Sequence, residues 1–214
     1  MTPPAQCSLC EHKHLKLYFS DIRHYWQCER CALVAVNAHE HLSEVDEKAR
    51  YDLHENDPND AGYRRFLNRL VEPLSQRLSK GSQGLDFGCG PGPTVSLLLA
   101  EQGHQTACYD KYYANHPALL SRSYDFITTT EVLEHLREPG RELTRLIELL
   151  KPGGYLGIMT KRLPTLAQFP RWHYKQDPTH ICFYADSTFE WIAEHWALSL
   201  EIIDNDVVIL QAGN

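Results

Sequence analysis

A glycine-rich turn in the segment GLDFGCGPGP, residues 84–93, constrains the fold more than any other part of the sequence. An apolar run ends in Asp86 and passes into a turn with glycine at every second position. Because glycine lacks a Cβ, the backbone can turn sharply there and a ligand can lie against bare peptide groups. We expect a helix from about Pro93 to Glu101, with its unpaired N–H groups and positive dipole end directed at that ligand. For this turn alone, the alternative is a tight strand-to-helix connection that binds nothing.

Three further segments follow the turn in order. Residues 105–109 predict a second strand, and Asp110 closes it about twenty residues past the glycines, where a carboxylate can accept hydrogen bonds from a ribose diol. The other two segments are YDFITTTEVLEHL, residues 124–136, and LLKPGGYLGIMT, residues 149–160. Together the four motifs resemble those of class I S-adenosylmethionine-dependent methyltransferases, and the resemblance covers about residues 85–211.

The resemblance implies a Rossmann-like α/β fold, a mixed sheet with helices on both faces, and S-adenosylmethionine as the methyl donor. The cofactor-binding residues that it implies are Asp86, Gly88, Cys89, Gly90, Asp110, Lys111, Glu131 and Tyr63. Only thirteen residues, 111–123, separate the second strand from the YDFITTT strand, whereas the family usually has a helix and a third strand there. We therefore expect the third strand to be vestigial or missing, and no motif assigns the adenine contacts.

The overall composition sets limits on partners and location. A chain of 214 residues can bury one sizeable core and a small appendage. Its 21 basic and 28 acidic residues give a net charge of -7, which argues against broad electrostatic capture of nucleic acid but not against a specific RNA substrate. The N-terminal segment has no apolar signal-like run and no stretch approaches the length of a membrane span, so we expect a cytoplasmic protein.

Four of the seven cysteines form a metal-like pattern at the N-terminus. Cys7 and Cys10 form one C-x-x-C pair, Cys28 and Cys31 form another, and seventeen residues separate the pairs. This spacing is typical of two zinc knuckles that close one tetrahedral site. We predict a zinc ribbon over residues 1–42, with a short hairpin between the pairs. Four thiolates leave the ion no open position, which favours a structural role; the alternative is that the ribbon binds a substrate or a carrier protein.

Residues 43–80 have a helical pattern in two pieces, and residues 81–214 complete the Rossmann-like core. The second piece carries an apolar stripe, and Pro73 should kink or end it. Small methyltransferases of this class often begin with helices that cover the cofactor cleft. On that resemblance the residues that line the pocket are Tyr51, His54, Tyr63 and Phe66, although core packing is an equal alternative for the last two.

The C-terminal half predicts a long loop between regular elements. We expect a helix over residues 141–150, which ends before Pro152, and then a strand over residues 155–160. After the loop we expect a helix with Ser187 as its N-cap and two closing strands. Residues 161–184 form an aromatic and basic loop, and long loops inside compact domains tend to be functional. Its aromatic side chains could surround a substrate ring or form the edge of the core; they are Phe169, Trp172, Tyr174 and Phe183.

Acidic and imidazole side chains cluster where ligands of open α/β sheets bind. Glu131, Glu134 and His135 follow the YDFITTT strand, and Asp177 and His180 lie in the long loop. Glu131, Glu134, His135 and His180 together form a ligand set for a second divalent ion such as magnesium, manganese, iron, cobalt or zinc. This set resembles the metal sites of the ubiquinone-biosynthesis O-methyltransferases and the small-RNA 2′-O-methyltransferases, where the metal is thought to hold substrate hydroxyls beside the methyl group.

The catalytic candidates are therefore His180, Asp177, Glu131 and His135. In a metal-free alternative, His180 is a general base held by Asp177, while Glu131 approaches the sulfonium and His135 packs at a helix start. The favoured function is methyl transfer to a hydroxyl oxygen of a small molecule. Carbon methylation, RNA 2′-O-methylation, nicotinamide-dependent redox chemistry and an inactive interaction protein stay open as alternatives.

Overall fold

The computed structural model describes residues 2–53 and 56–213, in which ten strands form two sheets. The strands are β1 (Leu15–Ser20), β2 (His24–Cys28), β3 (Val34–Val36), β4 (Gln83–Phe87), β5 (Gln105–Tyr109), β6 (Tyr124–Thr130), β7 (Leu150–Met159), β8 (Cys182–Phe183), β9 (Ser199–Ile202) and β10 (Val207–Gln211). The α-helices are α1 (Glu44–Tyr51), α2 (Ala61–Ser75), α3 (Thr94–Glu101), α4 (Pro139–Glu148) and α5 (Asp186–His195).

The larger sheet has six strands in the order β5-β4-β6-β7-β10-β9. The first four are parallel, β10 pairs antiparallel with β7, and β9 pairs antiparallel with β10. Residues 111–123 contribute no strand to it; they form an isolated bridge from Asp110 to Ala114 and a short 3-10 turn, Pro117–Ser121. The expected loss of the third strand is thereby confirmed. Since parallel strands end at one edge, the segments that follow β4, β5 and β6 meet there.

Helices cover both faces of this sheet, which confirms the predicted Rossmann-like architecture. Side chains of α2 and α3 pack on one face, and those of α4 and α5 pack on the other. Neighbouring residues of β10 show the alternation: Ile209 contacts the first group, whereas Val208 and Leu210 contact the second. The helix-covered sheet therefore forms a rigid platform beneath its carboxyl edge.

The smaller sheet joins the N-terminal ribbon to the long C-terminal loop. Its order is β1-β2-β3-β8, so a strand from the loop extends the three-stranded ribbon. Phe169, also from the loop, is completely buried against Tyr18 and Tyr25 of the ribbon, with ring centroids 5.2 Å and 4.9 Å away. Phe183 is equally buried. For these two residues the prediction that they surround a substrate is wrong, because both side chains are buried inside the protein.

Several boundaries differ from the sequence predictions, among them that of α4, which spans Pro139–Glu148. Helix α5 begins at Asp186, and the Thr188 hydroxyl accepts a hydrogen bond from the Ala185 N–H at 3.1 Å, so Ser187 is not the cap. Strand β7 begins at Leu150 and includes the Pro-Gly-Gly segment, because a register irregularity opposite residues 124–126 accommodates it. Helix α2 continues past Pro73 and ends at Ser75. Within the described ranges, no helix has the length and apolar character needed to cross a membrane.

Candidate functional site

A cavity of about 1070 Å³ opens at the carboxyl edge of the larger sheet. It brings together most of the residues that the sequence singled out: Tyr51, Tyr63, Phe66, Asp86, Gly88, Cys89, Gly90, Asp110, Lys111, Glu131, His135, Tyr174, Asp177 and His180. His54 lies outside the described residues. The cavity therefore has the placement expected for a ligand site in an open α/β sheet.

The glycine turn forms one wall of this cavity and depends on positive φ angles. Gly88 has φ 80° and Gly90 has φ 63°, a backbone region that favours glycine. A Cβ at Gly88 would also collide with the side chain of Val132. The Gly90 N–H donates to Asp110 Oδ2 at 3.0 Å. The turn and the carboxylate predicted for the ribose are thus joined directly.

The backbone also fixes the other oxygen of the Asp110 carboxylate. Asp110 Oδ1 accepts hydrogen bonds from the N–H groups of Tyr112 and Tyr113, at 2.7 Å and 3.1 Å. Asp110 is buried but still lines the cavity. A carboxylate oxygen has about two lone-pair sites, so Oδ1 is filled by its two donors, whereas Oδ2 can accept a further hydrogen bond from a ligand hydroxyl.

Asp86 is a second buried carboxylate in this wall. It is 1% exposed, and Thr128 Oγ1 donates a hydrogen bond to its Oδ1 at 2.8 Å. Burial raises the pKa of Asp86 to about 7. A cationic ligand group beside it would favour the charged form, so this position suits an ammonium group.

His135 and His180 also line this cavity, and with the buried Glu134 behind them they form a cluster of one carboxylate and two imidazoles. Ligand atoms of Glu134, His135 and His180 all lie within 4.8 Å of one another. Glu134 is fully buried, and it accepts hydrogen bonds from the Tyr174 hydroxyl and from Thr160 Oγ1, the latter at 2.9 Å. Burial raises the pKa of Glu134, and these hydrogen bonds and His180 oppose the rise.

The hydrogen bonds of the imidazoles determine the tautomer of each ring. His135 Nδ1 lies 3.1 Å from the carbonyl oxygen of Thr179, and His180 Nδ1 lies 2.6 Å from that of Tyr174. A carbonyl oxygen only accepts, so Nδ1 carries the proton and the neutral ring keeps its lone pair on Nε2. Burial, followed by the charge of His135, lowers the pKa of His180 to about 4, so that ring is neutral near pH 7. Metal-binding histidines have this arrangement, with the non-ligating nitrogen held by a carbonyl.

Glu131 lies in the same cavity but outside the three-residue group. It has φ 53°, and its Oε1 is buried without a hydrogen-bond partner among the described residues. Burial, followed by the charge of Glu134, raises the pKa of Glu131 to about 8. The structure thus brings together three of the four predicted ligands. The fourth, Glu131, lies in the same cavity, and its Oε1 has no hydrogen-bond partner among the described residues. Such an oxygen fits a site that receives a ligand.

Asp177 does not hold the His180 ring, so that part of the metal-free alternative is wrong. Its Oδ1 accepts from the Thr179 N–H at 2.9 Å and from Thr179 Oγ1 at 2.6 Å, which closes a local turn. The His180 ring is oriented instead by the carbonyl of Tyr174. Sequence reasoning missed this role and those of Thr160 and Tyr174, since no motif marks residues that act through a neighbour.

The four ribbon cysteines form a second group of ligand atoms. Their sulfur atoms lie within 4.8 Å of one another, with Cys7 to Cys31 at 3.6 Å and Cys10 to Cys28 at 3.4 Å. Tetrahedral zinc with Zn–S bonds of about 2.3 Å would place sulfurs roughly 3.8 Å apart. The donor set and its spacing therefore fit zinc.

Comparisons with known proteins give the family. A family model described as a methyltransferase domain matches residues 60–200, well over half of the chain. The ubiquinone biosynthesis O-methyltransferase of Serratia proteamaculans is 31% identical over 93 residues, which cover 42% of this chain and 37% of that protein. The ubiquinone biosynthesis O-methyltransferase of Saccharophagus degradans is 32% identical over 95 residues, which cover 42% of this chain and 38% of that protein. The matches thus span less than two fifths of these relatives' lengths.

Solved structures agree on the fold. The Burkholderia thailandensis 1,6-didemethyltoxoflavin-N1-methyltransferase, solved with 1,6-didemethyltoxoflavin and S-adenosylhomocysteine, has a TM-score of 0.59 at 13% identity, covering 94% of this chain and 100% of that one. An O-methyltransferase family protein from the same organism has a TM-score of 0.54 at 14% identity, covering 78% and 63%. At these identities the likeness shows the fold alone. The chain therefore belongs to the methyltransferase domain family and has the fold of S-adenosylmethionine-dependent methyltransferases.

Proposed function

We propose that the protein is an S-adenosylmethionine-dependent methyltransferase that methylates a hydroxyl oxygen of a small molecule, with a divalent ion held by Glu134, His135 and His180. One observation carries this proposal. Ligand atoms of His135, His180 and the buried Glu134 lie within 4.8 Å of one another, and both histidines line the cavity that contains the glycine turn. A methyl donor and a metal-held acceptor would therefore share one cavity.

The glycine turn side of the cavity provides the proposed cofactor seat. Asp110 would accept hydrogen bonds from the ribose diol, and Asp86 would face the methionine ammonium group. Tyr63 and Lys111 line the same space. The Burkholderia neighbour holds S-adenosylhomocysteine, the product that methyl transfer from S-adenosylmethionine leaves, which supports this choice of cofactor.

The residues of the cluster would position the acceptor and receive its proton. A divalent ion bound there would act as a Lewis acid and lower the pKa of the acceptor hydroxyl. Glu131 Oε1, which has no partner among the described residues, is the proposed proton acceptor. The cationic sulfonium of the bound donor favours the ionised form of this carboxyl. Methyl transfer would form the C–O bond, break the C–S bond of the donor and release the neutral thioether.

We further propose that the four ribbon cysteines hold zinc in a structural role. Four sulfur ligands complete a tetrahedral shell, so no position is left for a substrate. The cavity lining within the described residues includes none of these cysteines. The zinc would therefore act on folding rather than on the methyl group.

Two measurements test the proposed function. Calorimetric titration with S-adenosylhomocysteine should show binding that Asp110→Ala abolishes, and NADH should give no heat. Incubation with S-adenosylmethionine and a panel of hydroxylated aromatic compounds should release S-adenosylhomocysteine, and mass spectrometry should place the methyl group on oxygen. Methyl groups on carbon or on RNA would replace the acceptor proposal, and binding of NADH alone would overturn the methyltransferase assignment.

A further inference from the structure

Arg23 extends from the ribbon into the loop that carries His180. It lies in the turn between β1 and β2, and it is only 8% exposed. Its Nη1 donates to the carbonyl oxygens of Pro178 and His180, at 3.2 Å and 3.0 Å. Its Nη2 donates to the carbonyls of Lys175 and Asp177. One guanidinium thus binds four backbone carbonyls within a six-residue segment, residues 175–180.

Two other backbone carbonyls of this stretch orient the two imidazoles. Tyr174 O contacts His180 Nδ1, and Thr179 O contacts His135 Nδ1. The carbonyls that Arg23 binds and the two carbonyls that bind the imidazoles therefore lie together within residues 174–180. A shift of this stretch would move both rings.

Two further contacts fasten the same segment to the ribbon. Lys175 is 6% exposed and forms an ion pair with Asp21, two residues before Arg23. The Val36 N–H donates to Ile181 O at 2.9 Å, and the Ile181 N–H donates to Glu134 O at 2.8 Å. Hydrogen bonds thus connect ribbon strand β3 through Ile181 to the carboxylate residue of the cluster.

The segment needs these partners because it has little regular structure of its own. Between β7 and β8 the described chain forms only short 3-10 turns. Buried carbonyls without partners would destabilise the segment, and the ribbon supplies the missing donors. Arginine suits this task, since its planar fork can donate in several directions at once, whereas lysine donates from a single atom.

We propose that Arg23 is a positioning residue through which the ribbon sets the geometry of the Glu134–His135–His180 site. The inference rests on the proposed function of that site as a metal centre. It gives the ribbon a role in the chemistry of the cavity, although no ribbon cysteine lines it.

The test is a Mn²⁺ titration of the full-length, zinc-loaded protein, followed by electron paramagnetic resonance. Arg23→Ala should weaken Mn²⁺ binding by about tenfold to a hundredfold, the range seen when partners of metal ligands are removed. Arg23→Lys should show an intermediate loss, and Asp21→Asn a smaller one. Ribbon zinc content and the affinity for S-adenosylhomocysteine should stay unchanged in all three. The matched control is Arg30→Ala, since Arg30 is an exposed ribbon arginine that lies over Trp191, and it should bind Mn²⁺ normally.

The outcomes separate the inference from the proposal beneath it. Wild-type affinity for Mn²⁺ in Arg23→Ala, with binding lost in His180→Ala, would overturn the inference and keep the metal site. A wild-type protein that binds no Mn²⁺ would overturn both. If Arg23→Ala loses its zinc and unfolds, Arg23→Lys and Asp21→Asn decide, and normal Mn²⁺ binding in both would refute the positioning role.

Discussion

The four-cysteine ribbon and the Glu134–His135–His180 cluster are both groups of ligand side chains, but they differ in completeness and access. The ribbon offers four sulfurs, and three of its cysteines are buried. The cluster offers one carboxylate and two imidazoles, and both imidazole residues line the large cavity. A complete shell suits structure, whereas an incomplete shell that faces a cavity suits chemistry.

The two groups also differ in how the chain supports them. The cysteines lie within residues 7–31, and two tight turns bring them together. The cluster draws Glu134 and His135 from the segment after β6 and His180 from the loop before β8, and the remote residues Tyr174 and Thr160 hold its carboxylate. Damage to the ribbon should therefore affect folding first, and damage to the cluster should affect catalysis first.

The largest expected effect comes from Cys31→Ser, which removes one sulfur from the closed shell. Structural zinc sites supply folding free energy on the order of 10 kcal/mol, so the ribbon should lose its zinc and unfold. Metal analysis and thermal unfolding would measure this. Cys108→Ser, a change in a half-buried cysteine on β5, is the control and should keep the zinc. Equal zinc content in Cys31→Ser and the wild type would contradict the structural assignment.

The next effect is expected from His180→Ala. Loss of one ligand should lower kcat for methyl transfer by about a hundredfold or more, because the acceptor hydroxyl would lose its Lewis acid. Zinc content and S-adenosylhomocysteine affinity should not change. Asp177→Asn serves as the comparison, and its loss should be far smaller, because Asp177 bonds Thr179 and not the His180 ring. Similar kcat losses in the two variants would restore Asp177 as a catalytic partner.

Asp86 allows a test of a buried carboxylate that belongs to neither metal group. Its pKa is about 7 in the folded chain against about 3.9 when unfolded, so the folded state keeps a proton that the unfolded state loses between these values. The free energy of unfolding of the cofactor-free protein should therefore fall as pH rises from about 4 to 7, with up to about 4 kcal/mol from this group. Urea unfolding across this range should show a weaker fall for Asp86→Asn. If the free energy of unfolding fell equally with pH in the wild type and in Asp86→Asn, the raised pKa of Asp86 would be refuted.

The smallest expected effect is that of Tyr174→Phe, which removes one hydrogen bond to the Glu134 carboxylate. The ligand oxygen would be less firmly oriented, and Mn²⁺ affinity should fall by about tenfold. Stability should drop by about 1–2 kcal/mol, since the buried acceptor loses one of its two donors. Mn²⁺ titration and thermal unfolding of the same sample would separate the two effects. A stability loss with unchanged Mn²⁺ affinity would make Tyr174 a packing residue only.

The cofactor half was predictable because its signals are local. Strand β5 has the predicted bounds, and Asp110 and the glycine turn meet in the cavity as expected. Short motifs with a fixed topology determine these positions. The fold class and the missing third strand are confirmed for the same reason. The ribbon boundary at residue 42 and the helical cover over residues 43–80 stay predictions.

The second half of the site depends on contacts between remote parts of the chain. Arg23 and His180 are 157 positions apart, and Phe169 packs on Tyr25 across a similar separation. Nothing in the sequence of either segment indicates its partner, so the loop aromatics could be read as a substrate wall. The start of α5 was missed for a different reason: Ser187 and Thr188 are equivalent by type, and only the backbone path makes Ala185 the N-cap and brings the Thr188 hydroxyl to its N–H.

In the proposed function, one chain holds a structural metal in a closed site and a catalytic metal in an open one. Mn²⁺ titration of the zinc-loaded wild type beside His180→Ala tests it most directly. The account predicts one bound Mn²⁺ per chain in the wild type and none in the variant, with equal zinc in both. No Mn²⁺ binding by the wild type, or equal binding by both proteins, would contradict it.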